Sequence, residues 1–198
     1  MGTVEQGTGS RITITDRLLA ATILHVIPHS VKPNHVTIVR FLCVPPLVLL
    51  LWHHLYFYGM LLFAFAALTD AIDGAMARTR NQITQWGKIA DPFADKLLIG
   101  TVLIVLMANY VNTLVVWVMV FIELCIVARS LLYIASGRSA QVEANRVGKV
   151  KMIMQSVALM SLFVYILSGI PTFLVIAMYT LYLAIAFAIA SLVFYVSA

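Results

Sequence analysis

Long apolar stretches alternate with short polar segments along most of the chain. Residues 41–69 contain no Lys, Arg, Asp or Glu, and residues 152–198 contain no charged side chain. A helix that crosses the hydrocarbon core of a bilayer needs about 20 mainly apolar residues. The pattern therefore predicts an all-α integral membrane protein with six transmembrane helices, which cover about residues 36–55, 59–78, 91–107, 114–135, 147–167 and 172–196.

Turn signals set the predicted ends of these spans. The first apolar stretch breaks around residues 53–59, which divides it into a helical hairpin. Pro45 and Pro46 are predicted to kink the first span, because proline cannot donate a backbone hydrogen bond. Asp91 and Pro92 predict the start of the third span, with Asp as N-cap and Pro at the first helical position.

The N-terminal region has a shorter and more polar pattern than the rest of the chain. Residues 13–26 form a helical pattern that is too short to span a bilayer, and Asp16 and Arg17 keep one flank polar. We interpret it as an amphipathic juxtamembrane helix on the membrane surface; a soluble packing helix is the alternative. The predicted organisation is an N-terminal tail and surface helix, residues 1–30, followed by one transmembrane domain, residues 31–198.

Composition supports the membrane assignment. Hydrophobic residues make up 62% of the chain, charged residues 11%, and the mean hydropathy is +0.99, which argues against a soluble globular domain. A net charge of +5 suits nucleic acid or an anionic membrane surface. Because no basic stripe is interleaved with aromatic residues, we expect no nucleic-acid partner.

The 13 Lys and Arg residues fall into three groups that flank polar segments. These are Arg11, Arg17, Lys32 and Arg40; Arg78, Arg80, Lys88 and Lys96; and Arg129, Arg138, Arg146, Lys149 and Lys151. Cytoplasmic loops of membrane proteins carry an excess of Lys and Arg. The distribution predicts a multi-pass protein of the cytoplasmic membrane, with both termini and the segment between the second and third spans on the cytoplasmic side.

Four of the eight acidic residues lie in residues 70–95 as two pairs. Asp70 and Asp73 are spaced i, i+3, and Asp91 and Asp95 are spaced i, i+4, so each pair shares one helix face. Carboxylates at the edge of a hydrocarbon layer are costly, which makes them functional candidates. Hard oxygen ligands favour Mg²⁺, Mn²⁺ or Ca²⁺, and two such ions suit phosphoryl transfer. The alternative is an ion-pair network that holds two helices together.

These residues carry a known pattern. The order D-x-x-D-G-x-x-A-R, eight residues, G-x-x-x-D-x-x-x-D resembles the signature of the CDP-alcohol phosphotransferases. It is matched without departure at Asp70, Asp73, Gly74, Ala77, Arg78, Gly87, Asp91 and Asp95. In that family a CDP-linked lipid donates a phosphatidyl group to an alcohol and CMP is released.

The resemblance implies roles for the matched residues. Asp70, Asp73 and Asp91 would bind two Mg²⁺ or Mn²⁺ ions, and Asp95 would deprotonate the acceptor hydroxyl and also contact the metals. The CDP site would be lined by Asp70, Gly74, Ala77 and Arg78. A shorter lead-in, P-N-x-x-T-x-x-R, is matched at Pro33, Asn34, Thr37 and Arg40. It implies that Asn34 and Thr37 contact the nucleotide, although Asn34 could instead cap the first span.

The acceptor is less strongly specified. D-P-F-A-D-K at residues 91–96 and G-K-V-K-x-x-x-Q at residues 148–155 resemble the phosphatidylglycerophosphate synthases. That resemblance implies CDP-diacylglycerol as donor, glycerol 3-phosphate as acceptor, and Arg129, Lys149 and Lys151 as ligands of the acceptor phosphate. Lys149 and Lys151 diverge by about 200° on a helix, so flanking positive charge is the alternative reading of both. The family also implies a homodimer.

Other acceptors and another class of protein stay open. Those synthases often place an arginine before the glutamate of the fourth span, whereas Ile122 precedes Glu123 here. Inositol phosphate, or phosphatidylglycerol as in cardiolipin synthases, is therefore an alternative acceptor. A divalent-cation transporter is the non-enzymatic alternative, although the carboxylates lie near one membrane face. Within the fourth span, Glu123 is expected to be satisfied by Arg129 or by a water-filled cavity.

Overall fold

A computed structural model describes residues 33–79, 85–135 and 146–194, and the regular secondary structure in these ranges is entirely helical. The helices are α1 Pro33–Trp52, α2 Tyr56–Thr79, α3 Gln85–Val105, α4 Thr113–Ala135, α5 Arg146–Ser168 and α6 Pro171–Phe194, with a 3₁₀ turn at Met107–Asn109. The predicted surface helix at residues 13–26 lies outside the described residues.

Short polar turns join the helices at one end of the structure. Between α1 and α2, His54 takes a positive φ of 58°, and its Nδ1 lies 2.6 Å from the Tyr56 hydroxyl. Asn112 caps α4, since its Oδ1 accepts a hydrogen bond from Leu114 N at 2.9 Å. Between α5 and α6, Gly169 has a φ of +70°, a conformation that glycine adopts without strain, and its N–H donates to Tyr165 O.

Five helices begin and end within about three residues of the predicted limits, but the predicted start of α3 is wrong. The helix begins at Gln85, so Asp91 is not its N-cap and Pro92 lies inside it. Proline fits helical φ, and its cost is chiefly one lost hydrogen bond and crowding of the preceding turn. Ala90 and Ala94, on either side of Asp91, are buried, so this part of α3 is packed against its neighbours.

The helices pack around α3, which contacts α1, α2, α4 and α5, while α5 and α6 form a hairpin. Phe63 of α2 and Phe163 of α5 are both fully buried, with ring centroids 5.9 Å apart. α1 continues as a single helix through Pro45 and Pro46. Most of the other buried residues at the centre of the bundle are small or aliphatic, and this aromatic pair connects α2 with α5.

The outer surface of the bundle is apolar. Leu42, Phe121, Leu132 and Tyr179 each expose about two thirds of their surface or more. Within the described residues, Asn34–Trp52, Val150–Ser168 and Pro171–Leu192 are each long and apolar enough to cross a membrane. Large apolar side chains on the outside of a helical bundle are typical of a protein embedded in lipid.

Candidate functional site

The second carboxylate pair lies on one face of α3. Asp95 is buried and Asp91 is partly buried, one helical turn apart. Asp70 and Asp73 lie on the last two and a half turns of α2, together with Gly74, Ala77 and Arg78. α2 and α3 contact each other, so the two pairs stand on neighbouring helices. The side chains of these five α2 residues lie outside the part of the structure that is described.

Thr37 of α1 meets the carboxylate pair directly. Its side chain is fully buried, and its Oγ1 donates a hydrogen bond to Asp91 Oδ1 at 2.5 Å. The same helix face carries Asn34, partly buried one turn earlier, and Arg40, fully buried one turn later. The two motifs noted in the sequence therefore come together. A role for Thr37 toward Asp91 was not predicted, since the motif suggested only a nucleotide contact.

The face of α3 that carries Asp91 and Asp95 has oxygen donors that suit a hard divalent cation. Asp91 and Asp95 supply carboxylate oxygens from one face of α3, and oxygen ligands are those that Mg²⁺ and Mn²⁺ prefer. Metal-binding carboxylates are usually held by a further hydrogen bond, which Thr37 provides for Asp91. Asp91 and Asp95, with Asp70 and Asp73 from α2, are the residues that would hold the ions.

A second polar cluster is centred on Glu123 of α4. Lys96 of α3 and Lys151 of α5 both form ion pairs with its carboxylate, the latter with Nζ to Oε1 at 2.6 Å. Gln155 Nε2 also donates to Oε1, at 3.0 Å. All of these groups except Lys96 are buried. The cluster joins three helices through one carboxylate.

Glu123 is therefore satisfied differently from the sequence expectation. Its contacts are with Lys96, Lys151 and Gln155. Arg129 lies six residues further along α4, which is about 240° around the helix, so it is on another side. Both motifs that resembled the synthases, 91–96 and 148–155, contribute to the cluster. The signal available in the sequence was that both of these motifs resemble the same group of synthases.

The predicted acceptor residues have different surroundings. Lys151 is buried with its ammonium group against Glu123, and Arg129 is partly buried on α4. The side chain of Lys149 lies outside the described part of α5. The structure thus brings one of the three predicted phosphate ligands into the Glu123 cluster.

A cavity of about 100 Å³ lies beside this cluster, between α3, α4 and α5. Its lining is apolar except for Lys96, Glu123 and Gln155 at one end. Lys96 is about 140° around α3 from Asp91, so the cavity opens on another side of the helix. Its apolar walls do not suit a diphosphate. The carboxylate face of α3 is the better candidate for the active site.

Comparison with known proteins finds relatives that share part of this sequence. A similar protein from Rickettsia typhi, named CDP-diacylglycerol--glycerol-3-phosphate 3-phosphatidyltransferase, is 44% identical over 78 residues, which are 38% of this chain and 44% of that protein. A protein of the same name from Bacillus subtilis is 31% identical over 149 residues, 67% of this chain and 76% of the relative. A probable phosphatidylglycerophosphate synthase from Mycobacterium tuberculosis H37Rv is 37% identical over 142 residues, 69% of this chain and 66% of the relative.

The extent of these matches differs. The chain spans less than half the length of the Rickettsia relatives that it matches. The family model for CDP-alcohol phosphatidyltransferases matches residues 30–195, a range that contains α1 to α6 and both carboxylate pairs. With this match and the carboxylate face of α3 in agreement, the chain belongs to the CDP-alcohol phosphatidyltransferase family.

Proposed function

We propose that this protein is an enzyme of phospholipid biosynthesis. It transfers the phosphatidyl group of CDP-diacylglycerol to glycerol 3-phosphate and yields phosphatidylglycerophosphate and CMP. The observation that carries the proposal is the Thr37–Asp91 hydrogen bond, because it joins the two sequence motifs that resemble the family at one partly buried carboxylate. The names of the relatives from Rickettsia typhi, Bacillus subtilis and Mycobacterium tuberculosis support this donor and acceptor.

The reaction assigns each group a defined task. The acceptor hydroxyl oxygen forms a bond to the phosphorus that carries diacylglycerol, and the bond from that phosphorus to the CMP oxygen breaks. Asp95 accepts the hydroxyl proton, and CMP leaves with the electron pair. Asp70, Asp73 and Asp91 would hold two Mg²⁺ or Mn²⁺ ions, which when bound would neutralise the diphosphate charge. Asp95 lies beside these ligands because it follows Asp91 by one turn.

The binding of CDP follows from the α2 motif. Gly74 leaves the helix surface open to a ligand, since no side chain covers the backbone there. Ala77, three residues later, keeps the same helix face small. Arg78 carries the guanidinium group best suited to a phosphate. Asn34 and Asp70 complete the nucleotide contacts that we propose.

The acceptor phosphate is proposed to bind Arg129, Lys149 and Lys151. Lys96 and Lys151 share the single carboxylate of Glu123, which leaves the cluster with an excess of one positive charge. A dianionic phosphate is attracted by such an excess, and an uncharged alcohol is not. This charge balance favours glycerol 3-phosphate, or another alcohol phosphate, over phosphatidylglycerol, whose phosphodiester carries a single negative charge.

We also propose the arrangement in the membrane. The helices α1 to α6 would each cross the bilayer, with both termini and the active site on the cytoplasmic side. Residues 13–26 would lie on the cytoplasmic membrane surface. A homodimer is expected from the family. The positive-inside distribution of Lys and Arg supports this orientation.

An acceptor screen tests the proposed reaction. The full chain in lipid nanodiscs is given CDP-diacylglycerol, Mg²⁺ or Mn²⁺, and one of three acceptors: glycerol 3-phosphate, inositol phosphate or phosphatidylglycerol. We expect CMP release that depends on glycerol 3-phosphate and the divalent ion, with Asp91→Asn as the inactive control. Release with inositol phosphate alone would change the acceptor. Mn²⁺ flux into proteoliposomes without CMP release would support a transporter instead.

A further inference from the structure

The hydroxyl group of Thr37 links two helices. Threonines inside helices commonly donate to a carbonyl oxygen of the preceding turn. Thr69 does so to Ala66 O at 2.6 Å, and Thr180 does so to Ile176 O at 2.7 Å. Thr37 donates across to Asp91 on α3, and this hydrogen bond connects α1 to a carboxylate 54 residues away.

The geometry of this bond is that of a strong contact. The distance of 2.5 Å between Thr37 Oγ1 and Asp91 Oδ1 lies at the short end of the range for a hydroxyl donating to a carboxylate. Thr37 is fully buried, so water does not compete for the carboxylate from that side. Threonine is branched at Cβ and has few rotamers in a helix. The hydroxyl therefore holds Asp91 Oδ1 from a rigid position.

We propose that Thr37 is a positioning residue that orients the Asp91 carboxylate for a divalent cation. This inference rests on the metal-dependent function proposed above. Partners of this kind, which hold a ligand and do not touch the metal, typically change metal affinity by about 10- to 100-fold when they are lost. Thr37 acts through Asp91, so its loss changes the affinity for the ion even when no nucleotide is bound.

This role differs from a direct contact with CDP in a measurable way. A residue that touches the nucleotide changes the affinity for CDP-diacylglycerol and leaves the affinity for the ion alone unchanged. A residue that orients Asp91 changes ion affinity in the absence of nucleotide. Ion binding without substrate therefore separates the two roles, and it does not require turnover.

The experiment measures Mn²⁺ binding to the full chain in nanodiscs by electron paramagnetic resonance, without CDP-diacylglycerol. Thr37→Val keeps the branched shape and removes the hydroxyl, and we expect Mn²⁺ affinity to fall about tenfold or more. Thr37→Ser keeps the hydroxyl and should retain affinity within about threefold of wild type. Thr180→Val is the matched control, since it removes a helical threonine hydroxyl on α6 and should leave Mn²⁺ affinity unchanged.

The outcomes distinguish the inference from the function on which it rests. Wild-type affinity in Thr37→Val, with a raised KM for CDP-diacylglycerol, overturns the positioning role and leaves the proposed function intact. If wild type binds no Mn²⁺, the metal-dependent function fails as well. If Thr37→Val does not accumulate as folded protein, Thr37→Ala replaces it, because a smaller side chain cannot clash, and the same affinities decide.

Discussion

At the scale of single residues, Asp91 and Asp95 share a helix face but are assigned different tasks. Asp91 is held by Thr37 and would bind the ions, whereas Asp95 is more deeply buried and would accept the proton of the acceptor. A general base and a metal ligand are distinguished by how much their loss lowers the affinity for CDP-diacylglycerol and how much it lowers turnover. The pair of carboxylates therefore yields the first prediction.

We predict that Asp95→Asn lowers turnover by about 10²- to 10⁴-fold, the usual contribution of a general base. Its affinity for CDP-diacylglycerol should be retained far better than that of Asp70→Asn, in which a primary metal ligand is lost. The measurement is the dissociation constant for CDP-diacylglycerol and the rate of CMP release for each variant. Equal loss of lipid binding in both would make Asp95 chiefly a metal ligand.

A prediction for the ion follows from the same face. Asp70→Asn and Asp91→Asn each remove one negative charge and keep the side-chain shape, so both should abolish turnover and weaken Mn²⁺ binding. A chelator should stop the wild-type reaction, and added Mg²⁺ or Mn²⁺ should restore it. Full activity in the presence of the chelator would contradict a two-ion site.

The identity of the candidate residues could be predicted from sequence, but not their long-range contacts. The i, i+3 and i, i+4 spacings place both carboxylate pairs on helix faces, because helical periodicity is local. The bond from Thr37 to Asp91 joins residues 54 positions apart. Spacing along one helix carries no information about which residue of another helix packs against it.

At the scale of helices, the length of each apolar stretch predicted that a helix exists better than it predicted where that helix begins and ends. α4 and α5 begin and end within one residue of expectation, because charged or polar residues stop the apolar run on both sides. α3 begins six residues earlier than expected, because its first two turns mix apolar residues with Gln85, Lys88 and Asp91 and precede the proline. A helix can continue beyond an apolar stretch wherever its backbone hydrogen bonds and its packing are favourable. The part of α3 that precedes the apolar stretch was therefore not predicted.

The Glu123 cluster leads to a prediction about how three helices are held together. Glu123→Gln leaves Lys96 and Lys151 close together without a counter-charge. We expect a loss of stability of roughly 3–5 kcal/mol, as when one partner of a buried ion pair is removed. Lys96→Met should be much milder, because the pair of Glu123 with Lys151 remains and is neutral overall.

Thermal unfolding in detergent checks this order of stability. Tm should fall clearly in Glu123→Gln and little in Lys96→Met, with Ile153→Val on the exposed side of α5 as control. Equal losses of Tm in both lysine and glutamate variants would mean that the ion pair with Lys96 matters as much as the carboxylate itself. The charge balance argued for the acceptor site would then need revision.

At the scale of the whole molecule, the order of helices and the placement of charge together set the orientation. The turns at 53–55, 106–112 and 169–170 carry no Lys or Arg, and the segments between α2 and α3 and between α4 and α5 adjoin the cationic groups. The turns and the cationic segments alternate along the chain. Each of the helices α1 to α5 would therefore join one cationic and one uncharged end, as successive crossings require, and α6 adjoins no charged residue at either end.

Cysteine labelling in whole cells tests this orientation. In a Cys43→Ala, Cys125→Ala background, a cysteine at position 81, in the segment between α2 and α3, should react only after the membrane is made permeable. A cysteine in place of Asn109, exposed in the turn between α3 and α4, should react with an impermeant reagent in intact cells. The two sites are at opposite ends of α3, so they must label from opposite sides if α3 crosses the bilayer. Labelling of position 81 from outside would reverse the orientation and separate the carboxylates from cytoplasmic glycerol 3-phosphate. Labelling of both positions from one side would show that α3 does not span.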